Sequence, residues 1–152
     1  MRLTAFVAVL VIGLSGCIFQ NLSPTRRLTD QVYALNDETR WGRVDLASQR
    51  VAPEYRVAFL QTHRSWGRDI QIADTDLTNV VMAPDSDSAT SLIAVSWYDQ
   101  RMMTLHGSVL EQQWKRLEDH YVLETERVID GDESLLTPPE TEEDDDRVAV
   151  AP

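Results

Sequence analysis

A second cysteine is missing from this chain of 152 residues; Cys17 stands alone, so no disulfide can form within it. Lysine is almost missing too, with Lys115 the single example, and the arginines form no basic stripe. Nucleic-acid binding rests on Lys and Arg neutralising phosphates, so a chain of formal charge −11 argues against that partner. There is no glycine-rich phosphate loop and no serine-nucleophile elbow. No two of the three histidines, His63, His106 and His120, stand at metal-ligand spacing, and no metal or cofactor is expected. No internal repeat is present. The longest apolar run falls short of the ~20 residues that cross a bilayer as a helix.

That short run is informative for where it sits. Met1-Arg2 gives a positive start, Leu3 to Leu14 is apolar apart from Thr4 and Gly13, and small residues precede the cysteine. These are the parts of a secretory signal. The segment Leu14-Ser15-Gly16-Cys17 resembles the signal of bacterial lipoproteins. The resemblance implies that residues 1–16 are removed as a signal peptide and that Cys17 is the lipid-attachment residue. Its thiol accepts a diacylglycerol, and further acylation of the palmitate type follows. Each buried methylene adds about 0.8 kcal/mol to such an anchor, and stable anchoring takes at least two chains. Residue 18 is Ile rather than the Asp that retains lipoproteins in the inner membrane. The implied location is therefore the cell envelope, at the periplasmic face of the outer membrane in a Gram-negative organism.

Cleavage before Cys17 leaves 136 residues: a lipidated spacer over 17–27, one domain over 28–131, and an acidic tail over 132–152. The domain, roughly 110 residues, is a common size for a single core. From Asp132 onward eight acids face one Arg, and Pro138 to Asp146 has almost nothing to bury, so the tail is expected to be disordered.

Within the domain a helical pattern begins near Ser23-Pro24, with Leu28, Val32 and Leu35 on one face and Trp41-Gly42 closing it. Val44, Ala47 and Val51 mark a second short helix. Pro53 opens a third, carrying Tyr55, Ala58, Phe59 and Thr62 to a C-cap at Gly67. The period then changes. Ile70 and Ile72 alternate with polar neighbours, Val80 to Met82 stays extended, and Asp85 to Ser88 is a turn. Ile93, Val95 and Trp97 alternate cleanly. Asp99-Gln100 turns into an extended Arg101–Leu105, and Val109 to Leu117 and His120 to Val128 read as two more strands. Helices followed by four or five antiparallel strands predict an α+β fold, with N-terminal helices packed on a curved antiparallel sheet.

Element order and aromatic placement resemble the nuclear-transport-factor-2-like cone fold. The residues concerned are Arg40-Trp41-Gly42-Arg43, Ala52-Pro53-Glu54-Tyr55-Arg56, the strands Ile70–Asp76 and Val95–Tyr98, and Gln113-Trp114 with Tyr121-Val122-Leu123. The resemblance implies a cone-like sheet around the helices with a pocket at its open end. That fold also hosts acid–base isomerases, dehydratases and polyketide cyclases.

Candidate chemistry is sparse. Asp74 and Asp76, two apart on a strand, project from one face and are placed to share a proton or bind a cation; they also read simply as the polar end of a strand. His63, His106 and His120 are expected in surface or structural roles, although any of them titrating near neutrality suits acid–base work. Trp41, Trp66, Trp97 and Trp114, with Tyr55, Tyr98 and Tyr121, suit either a pocket or a core. Trp41 and Trp114 are expected in the core, and Tyr98 near an opening. No residue is assigned as catalytic. The expected function is a membrane-anchored envelope lipoprotein, a non-enzymatic module binding an envelope protein or a small hydrophobic ligand. The alternative is a small cone-fold enzyme, and a third possibility is an assembly factor of different α+β topology without a pocket.

Overall fold

The hydroxyl of Ser23 accepts a hydrogen bond from the Arg26 amide (3.3 Å) and Pro24 comes next, so the first helix starts from a capped, preset turn. The computed structural model of the chain describes residues 23–137. Cys17, the leader and the run 138–152 lie outside the described residues.

Helix α1, Pro24–Arg40, buries Leu28, Val32 and Leu35 on the expected face, and its stripe continues through the polar Asn36 and Thr39. Gly42 ends it in the left-handed conformation (φ 68°). The Arg43 amide reaches the Glu38 carbonyl (2.8 Å) and the Gly42 amide that of Thr39 (2.9 Å), a Schellman closure. Helix α2, Val44–Ala47, runs into a 3₁₀ turn over Ser48–Arg50. That turn is tied to α1 by a two-pronged pair, Arg50 Nε and Nη2 each 2.9 Å from one oxygen of the buried Glu38. Helix α3 is Arg56–Thr62, and His63 caps it. The expected cap at Gly67 is corrected: Gly67 is left-handed (φ 78°) for another reason, its backbone lying against that of Gly42.

Strands β1 (Ile70–Met82), β2 (Ser88–Asp99), β3 (Leu105–Leu117) and β4 (His120–Gly131) form an open antiparallel sheet in chain order. The fold is α+β, helices on a four-stranded sheet. Strand β2 keeps strict alternation, with Ala89, Ser91, Ile93, Val95 and Trp97 all facing the helices. The edge strands do not. In β1 the extra residues Ala73 and Thr78 re-phase the strand twice, so the faces toward the core are Ile70 and Ile72, then Thr75 and Leu77, then Val80 and Met82. In β4 the extra residues are Glu124 and Ile129, and the inward set passes from Tyr121 and Leu123 to Glu126 and Val128.

Three further expectations are corrected here. Arg101–Thr104 is not a strand: the chain turns at 100–102, Met103 and Thr104 are irregular, and β3 begins at Leu105. Trp41 is 66% exposed, because it falls at the C-cap and off the buried stripe of α1; Trp114, by contrast, is core at 1%. The packed unit exceeds 28–131 at both ends. It starts with α1 at Pro24, and beyond Gly131 a 3₁₀ turn over Glu133–Leu136 buries Leu135 completely, its carbonyl accepting from Trp66 Nε1 (3.1 Å). A leucine buried to that degree contributes about 2 kcal/mol, which is enough to hold a short acidic segment down.

Candidate functional site

Between helices and sheet lies a chain of buried polar groups. Asn36 on α1 and Gln112 on β3 bond each other twice, amide to amide, at 3.1 Å each. The Gln112 carbonyl oxygen also accepts from Ser91 Oγ (3.1 Å), whose oxygen in turn accepts from Trp114 Nε1 (2.9 Å). The second Gln112 N–H points to Glu126 Oε2 (3.4 Å), and Glu126 Oε1 lies 3.2 Å from His63 Nε2. His63 Nδ1 donates to the Phe59 carbonyl (2.9 Å), and its ring stacks on Phe59. Both side chains of the His63–Glu126 pair are 1% exposed.

The proton count at this pair is set by its partners. With Nδ1–H committed to a carbonyl, neutral His63 offers only a lone pair at Nε2. The Nε2–Oε1 contact therefore needs one proton, carried by either the carboxyl or the imidazole. Burial drives His63 down to about 4 and Glu126 up to about 7, the latter opposed by the Gln112 hydrogen bond. The carboxyl is thus the better holder, giving a neutral O–H···N bond in place of a buried ion pair. Tyr55, whose hydroxyl reaches the Glu126 carbonyl (3.4 Å), is pushed up to about 12, chiefly by burial.

A groove of about 320 Å³ opens above the Asn36 end of this chain, between α1 and β1. Val32 and Leu77 give it an apolar floor, Tyr33 (59% exposed) a wall, and Asn36, Thr75 and Arg40 its polar groups. The β1 bulges shape it. They turn Thr75 and Leu77 inward, and they turn Asp74 and Asp76 onto the opposite face. The two aspartates do share a face, but an exposed one, and neither lines this groove. Asp74 is paired with Arg40 (3.0 Å), whose other nitrogen caps the carbonyl of the bulged Ala73 (2.6 Å).

A second constellation sits where β4 ends. His106 Nδ1 is 2.6 Å from Asp132 Oδ2, and the imidazole stacks on Trp97 with ring centres 4.5 Å apart. Asp132 is held below the ordinary carboxylate range, first by the Ser134 hydroxyl and amide and less by His106. Ser108 is adjacent, yet it is not a nucleophile: its hydroxyl donates to the Asp132 carbonyl (2.7 Å) and accepts from Trp97 Nε1 (3.0 Å). Nε2 of His106 has no partner among the described residues. This group fastens the chain after β4 to the sheet.

Of the remaining candidates, His120 is exposed beside Asp119, and Trp66, Trp97 and Tyr121 are core. Tyr98 is half-buried on the sheet face away from the helices. Among the described residues no group of three His, Cys, Asp or Glu is placed to hold a metal ion, and no helix is long and apolar enough to cross a membrane. Sequence reasoning missed Glu126, Gln112 and Asn36, since an edge-strand bulge and an i+4 neighbour of Val32 carry no motif.

No family model matches the chain, and no curated protein matches it. Among solved structures the chain is similar to the solution structure of a SEC-C motif containing protein from Rhodopseudomonas palustris. The TM-score is 0.56 at 10% identity, over 66% of this chain and 77% of that one. At that identity the likeness concerns the fold alone.

Proposed function

We propose that this chain is an envelope lipoprotein, anchored through Cys17, whose domain is a non-enzymatic module binding a small hydrophobic ligand or an apolar protein segment in the α1–β1 groove. The anchor rests on Leu14-Ser15-Gly16-Cys17 and the leader before it. The binding reading rests above all on the composition of the groove, an apolar floor of Val32 and Leu77 with a few polar groups at the edge. The bulges in both edge strands favour the curved, cone-like form of sheet, because each extra residue adds local bend and twist. N-phenyl-1-naphthylamine fluorescence tests the groove: saturable enhancement that Leu77→Glu abolishes is expected, and no saturable binding to the folded domain goes against the reading. Fractionation tests the anchor. Cys17→Ser should move the protein out of the membrane fraction, and recovery of wild-type Cys17 as a free thiol would end the lipoprotein reading.

One observation favours an acid–base enzyme as a second reading: a carboxyl raised to about 7 beside a neutral imidazole. Against it, both side chains are sealed, and Asn36, the member of the network that lines the groove, is already bonded twice to Gln112. Glu126→Gln separates the two readings. It preserves the shape of the network, so a binding module should keep its cellular phenotype and an enzyme should lose it.

A further inference from the structure

A second concavity, of about 500 Å³, lies on the other side of α1's C-terminus. Trp41, Leu60, Arg64, Trp66 and Arg68 line it, with the Gly42–Gly67 contact at its base. Trp41 is the most exposed tryptophan of the domain, yet it is held in place by its Nε1 bond to Asp37 (3.1 Å). Arg64 and Arg68 have no carboxylate within ion-pair distance among the described residues; Arg68 instead bonds the Arg64 carbonyl (2.9 Å). In a chain of charge −11, two arginines left without acids in one cleft stand out. A single acid, Asp45, shares the wall with them.

The last described residues are tied to one of the residues that line this cleft. Trp66, part of the cleft, holds the Leu135 carbonyl (3.1 Å), and the described residues end two positions later at Thr137. The sequence continues as Pro138-Pro139-Glu140-Thr141-Glu142-Glu143-Asp144-Asp145-Asp146. An extended chain covers up to ~3.5 Å per residue, so Glu140 reaches ~10 Å from Thr137 and the later acids farther. We propose that this tail segment docks in the Trp41–Arg68 cleft of its own chain, with Pro138-Pro139 against the Trp41 indole and the acids beyond meeting Arg64 and Arg68. Prolines in an extended helix lie down on aromatic surfaces at little conformational cost, and arginine forks match carboxylates. A short tether holds the segment at an effective concentration in the millimolar range. Attraction between these two arginines and the acids is screened by salt, so docking is sensitive to ionic strength. The tail thereby occupies the cleft against any proline-bearing or acidic partner segment, independently of the lipid anchor.

A spin label tests this on the mature full-length chain, since Cys17→Ser leaves Thr141→Cys as the one attachment point. Docking predicts loss of the Trp41 indole N–H, Gly67 and Arg64 signals at low salt, with recovery in 0.5 M NaCl (roughly 4 Å Debye length) and in the double variant Arg64→Gln/Arg68→Gln. The Val32 and Leu110 signals report that each variant is folded. Broadening confined to residues 132–137, or broadening of the cleft unmoved by salt and by the arginine variant, overturns the proposal. Cleft broadening that disappears on dilution with excess unlabelled protein also overturns it, because the occupant is then the tail of a second copy.

Discussion

His63 Nε2 and Glu126 Oε1 lie 3.2 Å apart with both side chains sealed from water, and the partners of His63 leave room for one proton between them. Folding therefore moves a proton. Near pH 5.5 the unfolded chain carries it on His63, whose ordinary value is 6.5, and the folded chain carries it on Glu126. The two states then bind equal numbers of protons at this pair, and its contribution to stability is nearly flat between about pH 4.5 and 6.5.

Separating the partners should expose two opposite slopes. In Glu126→Gln only His63 remains, held down to about 4. The unfolded state then binds the extra proton between about pH 4 and 6.5, so stability rises with pH across that window. In His63→Gln only Glu126 remains, raised from 4.5 to about 7. There the folded state binds the extra proton, and stability falls as pH rises from about 4.5 to 7. Each slope amounts to on the order of 3 kcal/mol across its window. Urea midpoints measured from pH 4 to 8 check this; parallel profiles for wild type and both variants would mean that the pair is not the proton carrier.

The placement of Glu126 also explains how much of the fold the sequence makes legible. Uninterrupted alternation in β2 and the Leu28–Val32–Leu35 stripe of α1 announce their buried faces directly. Continued from Tyr121 and Leu123, the same alternation sends Thr125 and Arg127 inward; the extra residue Glu124 sends Glu126 there instead. The bulge at Ala73 likewise carries Asp74 and Asp76 from the inward phase of Ile70 and Ile72 to the outer face. An inserted residue leaves no visible mark in the sequence, because either phase is compatible with a polar residue at a sheet edge. Glu126 was hidden by this ambiguity; Asn36 and Gln112 keep the regular phase of α1 and β3 and were hidden instead as polar side chains on otherwise apolar faces. Leu135 was hidden differently, as one of two apolar residues within an acidic run whose burial depends on Trp66, 69 positions away.

Truncation tests that distant contact. A chain ending at Asp132 should lose about 2–4 kcal/mol, from removal of the Leu135 side chain and from the orphaned Trp66 N–H. A chain ending at Thr137 keeps both and should unfold near the wild-type urea midpoint. Equal midpoints for the two truncations would show that Leu135 contributes nothing to the core.

Arg50 and Glu38 offer a test of the link between α1 and the turn after α2. Arg50 makes two 2.9 Å bonds to the buried carboxylate and a third to Gln31 (2.7 Å). Arg50→Ala leaves Glu38 charged, buried and unpaired, and should cost about 3 kcal/mol. Lysine cannot reproduce the planar fork, so Arg50→Lys should recover less than half of that loss. The double variant Arg50→Met/Glu38→Leu should be more stable than Arg50→Ala, since no charge is then stranded. A double variant no better than Arg50→Ala would place the loss in packing of the arginine stem rather than in the pair.

Gly67 gives the sharpest steric prediction. A Cβ built on it stands 2.6 Å from Gly42 Cα, and one on Gly42 stands 2.8 Å from Gly67 Cα, so both are barred by backbone rather than by a yielding side chain. Both residues are also left-handed, at φ 78° and 68°. Gly67→Ala must therefore force α1's closing turn away from the segment entering β1, at a cost of about 2–3 kcal/mol from strain and lost packing together. Gly107, by contrast, has nothing within 4 Å of its Cβ position and no positive φ, so Gly107→Ala should be neutral or slightly stabilising. Thermal unfolding of the two variants side by side decides it: Gly67→Ala melting with Gly107→Ala would mean that the two backbones are not in contact in solution.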